Sequence, residues 1–208
     1  MSTWTATTDV AANSSASSSD RNTYIGASGN LQYLYDQRIQ KIAESVLGVV
    51  TASVTFSSIP GTYRHLMIVW AGRGDNATAS VGLIMQANTD TAANYDSELY
   101  QFHGSVSGPF VQETIATATP TIGDMCAASA TANFAGGGVI EIHDYAGTTF
   151  NKQATGRSAF KTANTTGNLN HEVEAWFWRS TAAITSLKFF PSAGNFAAGT
   201  MLQLYGTN

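Results

Sequence analysis

Residues 53–70 read SVTFSSIPGTYRHLMIVW, and apolar side chains alternate in them with polar or small ones. Two alternating apolar sets are present: Val54 and Phe56, then Leu66, Ile68 and Trp70. The residues between the two sets include Pro60 followed by Gly61, which is typical of a tight turn. A period of two on both sides of a turn predicts two strands, each with one buried face.

The same two-residue period continues from Gly48 to the end of the chain, and no long stretch there has a helical period. Further strands are predicted at 81–85, 99–103, 110–117, 138–145, 159–162, 172–179, 184–190 and 201–205. Around ten short strands separated by Gly, Asn and Ser predict an antiparallel β-sandwich over residues 49–208. In a jelly roll the first and last strands often pair, so we expect Val54 and Phe56 beside the final strand.

Upstream of Gly48 the apolar spacing changes to three and four residues, which predicts an amphipathic helix within residues 30–48. Its apolar stripe consists of Leu31, Tyr35, Ile39, Ile42 and Val46. Such a helix packs on its own sheet or forms a short coiled coil with symmetry copies. We favour the second arrangement, a trimer seam.

Residues 1–29 are rich in Ser and small residues, and Trp4 is one of few side chains there that could be buried. This composition cannot offset its own ordering entropy. We therefore predict an anchoring arm that is ordered by a partner subunit or a larger assembly; the alternative is an arm that folds back on its own domain.

Composition excludes several classes of partner and location. Only 12% of the 208 residues are charged and the net charge is −4, so we expect neither nucleic acid nor an anionic membrane as partner. No apolar run is long enough to span a membrane, and no secretory signal precedes the arm, so we expect synthesis and use without export by that route. The single Cys126 cannot form an intrachain disulfide, and we expect it to be a small buried residue.

Motifs for catalysis or cofactor binding are missing from the sequence. Neither a Gly-x-Ser-x-Gly elbow nor a phosphate-binding glycine loop occurs, so we predict no catalytic residue, no cofactor and no resident metal. Glu141 and His143 share one strand face, but without a second close histidine we expect a solvated surface rather than a metal site. Asp96, Glu98 and His103 would form an acid–base group only if a turn brought them together; we favour a polar loop.

Trp176 and Trp178 share a strand face with Glu172 and Glu174. If this face were inward, the acids would sit unpaired in a core, which is costly. We therefore expect the two tryptophans at a subunit interface, in ordinary edge packing or on a glycan, in that order of preference. Val173 and Phe177 point the other way and are the expected core residues.

Four segments together resemble a recurrent β-domain of tailed-bacteriophage structural proteins. They are SVTFSSIPGTYRHLMIV (53–69), NYDSELYQFHG (94–104), GGVIEIHDYAGTTFNK (137–152) and WRSTAAITSLKFFPSAGNFAAGTMLQLYG (178–206). The resemblance implies a virion component of jelly-roll type, often trimeric, on a tail fibre, a tail adaptor or the capsid surface. Residues 1–48 do not share the signature.

The function expected on these grounds is that of a non-enzymatic virion protein, made in the host cytoplasm. We expect a homotrimer that docks to other virion proteins through its arm and displays the β-domain, on the tail rather than the capsid. Capsid decoration or a head fibre is the nearest alternative, followed by a carbohydrate-binding module that recognises a host-surface glycan. A small hydrolase that uses Asp96 or Glu98 is a third class.

Overall fold

The computed structural model describes residues 39–104 and 110–208, and this part of the chain is mainly β, with antiparallel sheets and no helix. Its strands are β1 Gln40–Val46, β2 Val54–Phe56, β3 His65–Gly72, β4 Ser80–Ala87, β5 Tyr95–His103, β6 Phe110–Thr117, β7 Thr121–Cys126, β8 Gly136–His143, β9 Lys152–Lys161, β10 Leu169–Trp178, β11 Leu187–Pro191 and β12 Met201–Thr207. Within these described ranges, no segment has the helical length and apolarity that crossing a membrane requires.

The strands form two sheets that enclose one apolar core. The large sheet has eight strands in the order β1-β12-β3-β8-β9-β10-β5-β6, and the small sheet has the order β2-β11-β4-β7. Alternate residues of both sheets meet between them, as Ile68 and Trp70 of β3 and Phe189 of β11 do. The described residues therefore form a β-sandwich, the general fold that the sequence predicted.

The predicted helix is wrong for residues 40–46, which form β1. This strand pairs with β12, and one extra residue, Ile42, bulges between Lys41 and Ala43. The bulge interrupts the side-chain alternation, so that Ile42 and the next residue, Ala43, both pack against the core. Pairing decides between strand and helix, because β1 satisfies backbone groups of β12 that a helix would leave unpaired.

The apolar stripe assigned to a trimer seam is accordingly divided. Ile39 and Val46 are exposed, whereas Ile42 packs against the core. Leu31, Tyr35 and the rest of the predicted helix lie outside the described residues, as do Trp4 and the arm over residues 1–29.

We expected the final strand to pair with Val54 and Phe56, and this prediction is wrong. The neighbours of the final strand are β1 and β3, while β2 pairs with β11. First and last strands are indeed adjacent, but the first strand is the one that was assigned to a helix. The prediction also missed β7, although Pro120 directly precedes this strand and separates it from β6.

Three of the signature segments meet through specific contacts at one end of the sandwich. The Tyr145 hydroxyl donates a hydrogen bond to the carbonyl oxygen of Pro60. Gly206 lies against the ring of Tyr63, so closely that a Cβ at this position would overlap the ring. The signature residues thus join the turn before β3 to the ends of β8 and β12, which is a structural role.

Candidate functional site

Both tryptophans proposed for glycan or interface contact lie between the two sheets. Trp176 and Trp178 are 1% and 4% exposed. The indole N–H of Trp176 donates to the carbonyl oxygen of Met85 at 3.1 Å, and that of Trp178 donates to Asp90 Oδ2 at 2.7 Å. The Tyr95 ring packs beside both indoles, with centroids 5.7 and 6.4 Å away. These rings are core residues of their own domain, with no face open to a sugar.

The expected orientation of β10 is therefore wrong. Val173 and Phe177, predicted to be core residues, are 46% and 43% exposed on the outer face of the large sheet. The inner face carries Glu172 and Glu174, which are 0% and 3% exposed. Unpaired acids were predicted for an inward face. Instead, Glu172 and one carboxyl oxygen of Glu174 have hydrogen-bond partners, whereas Glu174 Oε2 has none.

Glu172 accepts three hydrogen bonds in the interior. Gln101 Nε2 donates to Oε1 at 2.7 Å, while the backbone N–H of Asp124 and the Ser158 hydroxyl reach Oε2 at 2.7 and 2.8 Å. Ser158 and Gln101 are the residues directly opposite Glu172 on β9 and β5, and Asp124 comes from the facing sheet. Donors from three strands thus surround one buried carboxyl group, which removes much of the cost of its burial.

Glu174 shares the Ser158 hydroxyl with Glu172, because Ser158 Oγ lies 2.5 Å from Glu174 Oε1. Burial is the main cause that raises the pKa of Glu174 to about 8, and the negative charges of Glu172 and Asp124 add to it. A hydroxyl has a single proton, so it can donate to only one of the two acids. The consistent arrangement has a protonated Glu174 donating to Ser158, which in turn donates to Glu172.

Asp124 completes this acid cluster, defined as Asp124, Glu172 and Glu174. Burial, followed by the charge of Glu172, raises the pKa of Asp124 to about 7. The ion pairs of the described chain, Lys41 with Glu44 and Arg179 with Asp96, involve none of the three acids. Protons and hydrogen-bond donors, rather than cationic side chains, therefore balance the charge of the cluster.

The second predicted group, Asp96, Glu98 and His103, is spread along β5 rather than gathered at a turn. Asp96 forms a two-point ion pair with Arg179, at 2.9 Å from Nε and 2.6 Å from Nη2, and this partner holds the pKa of Asp96 below its usual range. Strand alternation places His103 on the opposite face from the two acids, at the far end of β5. Such a spread does not form an acid–base pair.

A shallow groove of about 300 Å³ does lie over this part of the outer face. Glu98 faces Glu113 directly across the β5–β6 pair, and Phe177 and Ile115 supply apolar walls. Residues from three neighbouring strands form it, a combination that sequence spacing could not reveal.

Glu141 and His143 lie on the outer face of β8, as the alternation predicted. The residue directly opposite His143 is His65 of β3, with the ring centroids 5.2 Å apart. We expected no metal site because the sequence showed no second histidine close by, and His65 is such a histidine. No three His, Cys, Asp or Glu side chains within the described ranges form a group that could hold a metal ion.

Two further residues have structural roles that the sequence did not indicate. The Arg73 guanidinium donates to the carbonyl oxygens of four residues in the loop after β7, namely Ala128, Ala130, Thr131 and Phe134. Lys152 is 2% exposed and donates to the carbonyl oxygens of Phe150 and Thr181. The expected burial of Cys126 is confirmed.

Comparison with known proteins gives no assignment: no family model matches the chain, and neither does any curated protein. The resemblance to phage structural proteins therefore rests on the four quoted segments.

Proposed function

We propose that this chain is a non-enzymatic structural protein of a bacteriophage virion, a homotrimer attached through its N-terminal arm. The carrying observation is the strand order. Taken alone, β1-β12-β3-β8 and β2-β11-β4-β7 have the order of a jelly roll, a double-sheet fold that occurs in viral capsid and lectin domains. The hairpins β5–β6 and β9–β10 are added to one of these sheets beside β8.

This extension supports a subunit contact. Its outer surface carries exposed apolar side chains from three adjacent strands, and we call this the outer apolar face: Tyr100, Phe102, Val111, Ile115, Leu169, Val173 and Phe177. Val173, Tyr100 and Val111 lie side by side across β10, β5 and β6. A group of exposed apolar and aromatic side chains of this kind, bordered by charged ones, is typical of an interaction site.

The oligomer is tested by light scattering after size exclusion of the full chain. We expect three times the 21.9 kDa chain mass. The double substitution Val173→Ser with Phe177→Ser should lower the mass toward the monomer while the chain remains folded. A matched control, Val49→Ser with Val50→Ser, changes two exposed valines outside the face and should leave the trimer intact.

A truncated chain separates the arm from the face. The fragment should begin at residue 39, because a start at residue 49 would delete β1 from the large sheet. If the fragment is still a trimer, the outer apolar face holds the subunits; if it is a monomer, residues 1–38 do. A full chain that remains a monomer at high concentration would contradict the homotrimer.

The location on the particle requires a separate experiment. An antibody raised against residues 39–208 should label intact phage particles in immunoelectron microscopy. We expect label on the tail, at a fibre or adaptor. Label on the head would favour the capsid decoration or head fibre alternative, and unlabelled particles that lack the chain by mass spectrometry would contradict a virion role.

A carbohydrate-binding module is the second candidate, and the groove beside Phe177 favours it. An exposed ring next to Asp96, Glu98 and Glu113 combines a stacking surface with acceptors for sugar hydroxyls. Saturable binding to one glycan of a broad panel, lost in Phe177→Ala and kept in Leu169→Ala, would support this function. If no glycan of the panel binds, the chain is not a carbohydrate-binding module.

A further inference from the structure

A pair of histidines lies on the outer face of the large sheet, away from the sites described above. His65 of β3 and His143 of β8 are directly opposite each other, and both are partly exposed. They line a surface recess of about 140 Å³ together with Met67, Glu141 and Thr207. The site lies on other strands than the outer apolar face, so it is independent of the proposed subunit contact.

We propose that His65 and His143 form a binding site for a divalent transition-metal ion, with Cu²⁺ the tightest binder. The two imidazoles supply the protein nitrogen ligands, and water fills the remaining positions. This activity goes beyond the proposed structural function and does not depend on it.

The spacing of the two rings fits shared coordination. A zinc–nitrogen bond is about 2.0–2.1 Å, and the centre of an imidazole lies about 1.1 Å beyond its nitrogen. Two rings bound to one ion at an angle between 90° and 110° therefore have centres roughly 4.5–5.2 Å apart. The observed separation is 5.2 Å, with the ring planes 82° apart. Residues that face each other directly on neighbouring strands allow this approach without a change in the backbone.

The surroundings match the chemistry of copper, nickel and zinc. Imidazole is a ligand that these three ions share, and Cu²⁺ is the strongest binder of the series. Met67 faces Glu141 across the same strand pair, so a thioether and a carboxylate flank the imidazoles.

One existing contact has to give way. The backbone N–H of Asp144 donates to His65 Nδ1 at 3.3 Å, a long hydrogen bond. A ring bound to metal through Nε2 carries its proton on Nδ1, so this contact is broken by a rotation of the ring.

The test uses the full chain without an affinity tag, titrated with Cu²⁺ and separately with Ni²⁺ by isothermal calorimetry. We expect one ion per chain and a Cu²⁺ spectrum in electron paramagnetic resonance with coupling to two nitrogens. His65→Gln and His143→Gln should each weaken Cu²⁺ binding by about tenfold or more, as loss of a ligand must exceed the loss of a second-shell group. Glu141→Gln should change it less.

His171→Gln is the matched control, because His171 lies on the same outer face but stacks on Phe102, 6.3 Å away. Its binding should equal that of the unchanged chain. Equal binding in the His65→Gln, His143→Gln double variant would overturn the proposal, as would the absence of saturable binding below about 100 µM free Cu²⁺. Metal-free melting curves check that each variant is folded, and His143→Asn replaces any variant that is not.

Discussion

The two faces of β10 reverse the usual distribution of acids and apolar residues. The inner face presents Glu172 and Glu174 before its two tryptophans, whereas the outer face presents Val173 and Phe177 to solvent. Polarity alone would assign the faces the other way round. The difference teaches that burial of an acid depends on the donors that surround it, and here three strands of two sheets supply them.

The outer face of β10, unlike its inner face, is uncovered in the described part of the chain. The small sheet covers the inner face of β10, but nothing in the described part of the chain covers Val173 or Phe177. Apolar side chains left there are available for another molecule, which is the basis of the proposed subunit contact.

The two faces should differ most in the free energy of unfolding that is lost when neighbouring aromatic residues are replaced by alanine. Trp176→Ala removes a buried ring and its hydrogen bond to Met85, and should lower the free energy of unfolding by about 3–5 kcal/mol. Phe177→Ala should cost less than about 1 kcal/mol in the monomer. Urea unfolding of both variants checks this, and equal losses would contradict the assignment of faces.

Substitution of the neighbouring acid and valine should give the next largest difference. Glu172→Ala leaves the donors from Gln101, Ser158 and the Asp124 backbone without their acceptor, so we expect a loss of about 3 kcal/mol. Val173→Ala, one position along, should cost about 0.5 kcal/mol. If Glu172→Ala is as stable as Val173→Ala, the three hydrogen-bond donors that face Glu172 must bind water in the variant.

Ser158→Ala tests the shared hydroxyl with both acids retained. It removes the group that joins Glu174 to Glu172, and we expect a loss of about 1–2 kcal/mol in urea unfolding. Ala159→Ser, on the outward face of the same strand, is the control that should be nearly neutral. An unchanged midpoint in Ser158→Ala would argue against the proton arrangement described above.

Glu174→Gln is the last comparison, and here the readout is the slope of the folding stability with pH. Because the pKa values of Glu174 and Asp124 are raised to about 8 and about 7, the folded state binds more protons than the unfolded state between about pH 4 and pH 8. Their contribution to stability is therefore complete below about pH 4 and is lost as the pH rises through these values.

Glu174→Gln should flatten this decline in stability between pH 5 and pH 9, since the amide stays neutral. Urea midpoints measured across that range provide the test. Phe177→Gln, at an outward position of the same strand, should keep the slope of the unchanged chain. If the stability of Glu174→Gln changes with pH as steeply as that of the unchanged chain, Glu174 does not hold the extra proton.

The alternation of apolar and polar residues predicted most of the strands, but it did not predict which strands pair with each other. The alternation in residues 65–70 and 201–205 found β3 and β12, because each strand has one buried face. The helix predicted over residues 40–46 is wrong, because this segment pairs with β12, a partner that spacing along the chain does not reveal. The candidate sites depend on registers between strands, such as His65 opposite His143, and no spacing along the chain contains that information.

What the sequence by itself determined is the β class of residues 49–208, the turn at Pro60–Gly61 and the absence of catalytic and cofactor motifs. These follow from side-chain periodicity and from local backbone chemistry, which act within a few residues. Only the tertiary structure decided which face of β10 is buried, which strand lies beside β12 and which histidines meet. Each of these depends on hydrogen-bond partners far apart in the chain, because a buried polar group is stable only where distant donors reach it.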